Sequence, residues 1–68
     1  MISYEPMWKT MERKNITQYR LLKGGLDNKT LHKIKQNKTI TLQTLEKICI
    51  ILRCKPNDVI KFTKEKEM

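Results

Sequence analysis

The chain has 68 residues, of which 38% are hydrophobic and 32% charged, with 15 Lys and Arg against 7 Asp and Glu and a formal net charge of +8. A chain this short buries only about 60% of its unfolded surface, which supports one small core and argues against a deep substrate pocket. It is too apolar for a disordered polyelectrolyte, and no apolar run approaches the ~20 residues of a membrane span. With nothing resembling a signal peptide either, the expected location is the cytoplasm.

The predicted elements follow one another closely, with no repeat, linker or low-complexity segment between them. Pro6 marks a first helix, because proline suits its opening turn. Met7, Trp8 and Met11 follow at helical spacing as its buried stripe, and Lys14-Asn15 ends it. Thr17 is the expected N-cap of helix 2, with Leu21 and Leu22 inward. Gly24-Gly25 closes that helix and Leu26 plugs the corner. Asp27 is the expected N-cap of helix 3, where its carboxylate suits both the free backbone N–H groups and the positive helix end. Leu31 and Ile34 give helix 3 one buried face and leave Asn28, Lys29, His32, Lys33 and Gln36 on the others. Asn37-Lys38 ends it.

Ile40 is an apolar anchor in a polar loop, and Thr41 caps helix 4. There Leu42, Leu45, Ile48, Cys49 and Leu52 trace the wide stripe of a central core helix. Pro56 opens a short helix 5, with Val59 and Ile60 packing back. Lys61-Phe62-Thr63 reads as extended, a candidate to pair with Ile2-Ser3-Tyr4, and residues 64–68 read as a frayed tail. The expectation is one all-α domain over residues 1–68, a compact cluster of five helices with no strand of consequence.

Charge is distributed unevenly over this framework. Between Arg13 and Leu45 stand Arg13, Lys14, Arg20, Lys23, Lys29, Lys33, Lys35 and Lys38, with Asp27 the one acid. The other acids lie near the ends or beyond the start of helix 4. Such a field favours a polyanionic partner. Cys49 and Cys54 are too few for a disulfide scaffold. With His32 as the one histidine they make no four-ligand zinc site. They read as small core or helix-end residues. No metal or other cofactor and no small-molecule ligand is expected.

Residues 17–37 form a helix, a glycine corner and a second helix: a helix-turn-helix pattern. The second helix carries short polar and basic side chains outward, as entry into a DNA major groove requires. Asn pairs with adenine through two hydrogen bonds, and Lys donates to guanine. Helix N-termini capped by Thr17 and Thr41 present backbone N–H groups to phosphates.

Three stretches carry a family resemblance: ISYEPMWKTM, TQYRLLKGGLDNKTLHKIKQNKTIT and TLEKICIILRCKPNDVI, together spanning residues 2–60. In that order the chain resembles the phage Cro/repressor-type, or xenobiotic-response-element-type, helix-turn-helix domain, and most closely a small single-domain bacterial subgroup. The resemblance implies a five-helix, lambda-repressor-like fold and double-stranded DNA binding in transcriptional regulation, with repression expected. Asn28, Lys29, His32 and Lys33 match outward recognition-helix positions that meet bases, with Thr30 beside them. Gln18 matches the glutamine that opens helix 2, touches a phosphate and braces the recognition helix. Thr17 joins it, and Gln36, Asn37, Lys38, Thr39 and Thr41 match the backbone-contacting loop and the next helix start. Gly25 comes about one residue earlier than in the commonest family pattern, which implies a short helix 2. Leu22 replaces the usual small residue, and Lys35 an acidic one.

One such domain makes few contacts, so a homodimer on a palindrome is the expected binding form. Ile50, Val59 and Lys61–Thr63 are candidates for the dimer surface. The competing reading is a protein-interaction module, antitoxin-like or antirepressor-like, with only non-specific DNA affinity. RNA and membrane readings lack their features: a sheet with paired stacking aromatics in one case, a bulky aromatic face beside the lysines in the other. An enzyme is not expected, because no nucleophile–base set, carboxylate pair or phosphate loop is visible.

Overall fold

Four α-helices and two very short strands make up the regular structure of residues 1–63, the part of the chain that the computed structural model describes. In chain order they are β1 (Ile2–Ser3), α1 (Glu5–Lys14), α2 (Gln18–Lys23), α3 (Asn28–Lys35), α4 (Leu42–Leu52), a 3-10 turn at Pro56–Asp58, and β2 (Lys61–Phe62). The expected fifth helix is therefore corrected to that single 3-10 turn. Lys55 and Asp58 bracket it: the Asp58 carboxylate accepts from the Lys55 backbone N–H at 3.2 Å, and too few residues follow before the chain turns into β2. The expected frayed tail lies outside the described residues.

The two ends of the described chain are joined. Ile2 pairs with Phe62 and Ser3 with Lys61 in an antiparallel ladder. Backbone bonds between Met1 and Thr63 extend it. The Lys61 ammonium closes on Glu5 at 2.8 Å, and this hydrogen bond and charge hold the Glu5 carboxyl below its ordinary range. Two-residue strands need such support, because isolated hairpins are marginal in water.

The core is assembled from one face of each helix. Tyr4, Met7 and Met11 meet Leu21 of α2, Leu26 of the corner, Leu31 and Ile34 of α3, Leu45, Ile48 and Leu52 of α4, and Val59. Each such side chain contributes about 1.5–3 kcal/mol on burial. Thr10 is buried too, and its hydroxyl donates to the Asp58 carbonyl at 2.8 Å, tying α1 to the 3-10 turn. Leu42 departs from the expected stripe: it is 82% exposed, at the rim of an apolar cleft that it shares with Ile2, Ile40 and Phe62. Trp8, Leu22 and Cys49 are only partly buried against the core's edge. Val59 is fully buried, so it drops out of the candidate dimer surface, whereas Ile50 and Phe62 are exposed.

All four helices end in the same way. In each, a residue with positive φ follows the last turn: Asn15, Gly25, Asn37 and Arg53. The next N–H then bonds back across six residues: Ile16 to Met11, Leu26 to Leu21, Lys38 to Lys33, and Cys54 to Cys49, at 2.8, 3.1, 2.9 and 3.0 Å. This corner satisfies carbonyls that a helix end leaves free, and commonly sets an apolar pair side by side. Gly25, at φ +112°, is where glycine is needed. Gly24 remains helical at φ −78° and is small for a different reason, since a Cβ there would lie 2.8 Å from Ile51 of α4.

Candidate nucleic-acid interface

The α2–α3 unit is set by local chemistry. Thr17 takes the extended N-cap conformation of α2, but its hydroxyl makes no cap bond, which corrects the expected side-chain cap. α2 is six residues long, as the early Gly25 implied. Asp27 does cap α3: its carboxylate accepts from the Thr30 N–H at 2.8 Å. Hydrogen bonds from the Thr30 side chain and backbone hold the Asp27 carboxyl below its usual range. A depressed native value stabilises the fold above the ordinary aspartate range, and the contribution is lost as pH falls through the lowered native value. Asp27→Asn should therefore flatten the acid limb of stability, as read by thermal melts of both proteins from neutral pH down to about pH 3.

Beyond this cap, α3 divides cleanly. Leu31 and Ile34 are buried, while Asn28, Lys29, His32, Lys33 and Gln36 are exposed. The spacing places them in two adjacent rows, 28-32-36 and 29-33, since residues four apart are neighbours on a helix. Gln36 Nε2 lies 3.3 Å from His32 Nε2, so the amide donates to the ring when the imidazole proton is on Nδ1. Thr30 is half-buried and engaged with Asp27, which takes it off the exposed face.

The corner after α3 differs from its three counterparts. Where Met11 and Ile16, Leu21 and Leu26, and Cys49 and Cys54 stand, α3 carries Lys33 and Lys38. Both are exposed. The backbone geometry that pairs apolar residues elsewhere here pairs two cations, at the negative end of the helix dipole that tolerates them. A shallow groove beside them is lined by Asn28, Lys29, His32, Lys33, Gln36 and Lys38. Asn37 holds the positive φ of this turn, and Thr39 is exposed after it. The Thr41 hydroxyl caps α4, accepting from the Thr44 N–H at 3.1 Å and donating to the Thr44 hydroxyl at 2.9 Å. With that hydroxyl engaged, the groups left for an anion are the first N–H groups of α4. Gln18, the first residue of α2, is exposed, and farther along that helix the Lys23 ammonium sits 6.0 Å over the Tyr19 ring.

Two residues that the sequence did not mark make long-range ties, the first of them directly to this surface. Tyr4, buried directly after β1, donates its hydroxyl to the Lys38 carbonyl, 34 residues away. Burial raises the Tyr4 phenol above its ordinary value, still further from losing its proton at neutral pH. Tyr4→Phe should cost about 1–2 kcal/mol in urea unfolding, because it leaves the Lys38 carbonyl without this donor. Lys14 is the second. Its ammonium bonds the Leu52 and Arg53 carbonyls at 3.0 and 2.8 Å, so this base caps α4 rather than adding generic surface charge. An aromatic ahead of Pro6 and a lysine at the end of helix 1 were visible in sequence, but nothing there indicated their partners.

Residues 7–65 match the family of Cro/C1-type HTH DNA-binding domains. The chain belongs to that family. A solved structure described as the transcriptional regulator VanUg is similar over 94% of this chain and 87% of its own, with a TM-score of 0.86 and 28% identity. No curated protein matches significantly. The Cro/C1-type assignment makes this a domain of a double-stranded-DNA-binding type and not of an enzyme family. It places the α2–α3 unit within a helix-turn-helix DNA-binding domain. Among the described residues, no helix is long and apolar enough to cross a membrane, and no three His, Cys, Asp or Glu residues cluster to hold a metal.

Proposed function

We propose that the chain is a sequence-specific transcriptional regulator, one helix-turn-helix domain over residues 1–68, that reads the major groove with α3. The observation that carries this reading is the exposed double row on α3 of a Cro/C1-type domain, with a lysine pair at its end. In this reading Asn28, Lys29, His32 and Lys33 meet base edges, and Thr30 supports them through Asp27. Asn offers the two-bond pairing to adenine, and lysine the donor to guanine. Gln18 with Thr17 grips one phosphate stretch. Gln36, Asn37, Lys38, Thr39 and the α4 N-terminus at Thr41 grip another. Similarity to VanUg, described as a transcriptional regulator, supports the regulatory role. Repression follows from occupancy alone, since a bound site excludes other proteins without a further surface. Two copies on a palindrome, with half-sites about 34 Å apart, supply the affinity that one small domain lacks.

Selection of binding sites from a random duplex pool at physiological salt tests the reading. A recovered motif, palindromic for a dimer, is the expected result. Uniform, salt-sensitive binding to every duplex would replace it with the interaction-module reading.

A further inference from the structure

The fold of this domain repeats one helix corner four times, and at the end of α4 the paired positions are both cysteine. The Cys54 N–H bonds the Cys49 carbonyl at 3.0 Å. Standard backbone lengths then keep the two Cα atoms within about 7 Å, close to the upper limit of what a disulfide bridges. The two thiols lie close enough at this corner for each to influence the other's ionisation. Each cysteine is free and only partly buried. The Lys14 ammonium, held on the Leu52 and Arg53 carbonyls, and the Asp58 carboxylate are the charged groups that face the pair.

We propose that Cys49 and Cys54 form a reversible dithiol–disulfide site, closed by exchange with a small-molecule disulfide. One cysteine thiolate attacks a sulfur of the reagent, forming a mixed disulfide and releasing one reagent thiolate. The second cysteine, as thiolate, attacks the protein-bound sulfur, forming the Cys49–Cys54 bond and releasing the other reagent thiolate. The two protons given up by the cysteines convert the released thiolates to thiols. The protein loses two hydrogens and the reagent is reduced.

Burial holds the Cys54 thiol up to about 11 and the Cys49 thiol above its ordinary value, so the exchange is slow at neutral pH and quickens as pH rises. The bridge closes a short loop at the end of α4 opposite to Thr41. An 11-residue helix spans roughly 16 Å, which separates this loop from the α4 N-terminus at Thr41. The consequence is a stability setting: a short closed loop raises Tm by roughly 10 °C in a domain of this size.

The test uses the whole chain, reduced, desalted and incubated with glutathione disulfide at about pH 8, where thiolate is more abundant. The readouts are intact mass, free-thiol titration and thermal melting. The expected product is a monomer lighter by two hydrogens, without free thiols, melting roughly 10 °C higher and restored by dithiothreitol. Cys49→Ser and Cys54→Ser should each carry one glutathione adduct and show no such rise. Two adducts on the wild type, a cross-linked dimer, two persistent thiols, or an oxidised monomer that melts no higher would each overturn the site.

Discussion

Ile34→Ala is expected to lower the unfolding free energy by about 2–5 kcal/mol, measured as a shift in the urea midpoint at unchanged slope. Ile34 is fully buried on the inner side of α3. Its loss removes buried methyl and methylene groups and leaves a cavity that a small core closes only in part. A domain of 68 residues has a total stability of roughly 3–10 kcal/mol. One such change therefore removes a large share of it, and the α3 surface is lost along with the fold. Ile50→Ala is the matched control. Ile50 is 69% exposed on α4, so its truncation should stay within about 0.5 kcal/mol. A large effect at Ile50 in the isolated protein would mean that this residue is covered, and covered by another copy.

The second large effect concerns DNA. Lys29→Ala combined with Lys33→Ala should weaken binding to the selected duplex by roughly a hundredfold or more, taking about 1–3 kcal/mol for each specific base interaction removed. Fold stability should hardly move, because both side chains are exposed on the solvent face of α3. The salt dependence separates two roles for these lysines. Bonds to phosphates, when removed, reduce the slope of affinity against salt by about one per lysine and weaken all sequences alike. Bonds to bases, when removed, relax the preference at particular positions. For the wild type, neutralising four phosphates gives about a hundredfold loss of affinity between 50 and 200 mM salt. Titration of the selected duplex and a scrambled one, at two salt concentrations, measures all three quantities.

The candidate interface was more legible in the sequence than its supports were. Asp27 as the cap of α3, and the split between Leu31 and Ile34 on one side and Asn28, Lys29, His32 and Lys33 on the other, were readable because capping and helical periodicity span three or four residues. The likeness between residues 2–60 and Cro/repressor-type domains pointed to the family that the match over residues 7–65 establishes. Two local readings failed for local reasons. Thr17 has the right residue type and backbone for a cap but leaves its hydroxyl unbonded. Pro56 began only one 3-10 turn, because Val59 had to be fully buried and the chain then had to reach β2.

By itself, then, the sequence determined the approximate bounds of the four α-helices, most of their apolar faces, where positive charge gathers, and the short α2 that follows from an early Gly25. The caps, the apolar faces and the short helix depend on residues a few positions apart, and the charge distribution is read along the chain without any fold. The tertiary structure alone decided the long-range supports: Tyr4 under the Lys38 carbonyl, Thr10 on the Asp58 carbonyl, and Lys14 across the end of α4, joining residues 34, 48 and 38 positions apart. It also decided that Leu42 stands in solvent while Val59 does not. The physical reason is that a polar group's partner, and the neighbour that covers an apolar side chain, are chosen by how the elements pack. Local periodicity carries no information about a contact that exists only after the chain has closed on itself.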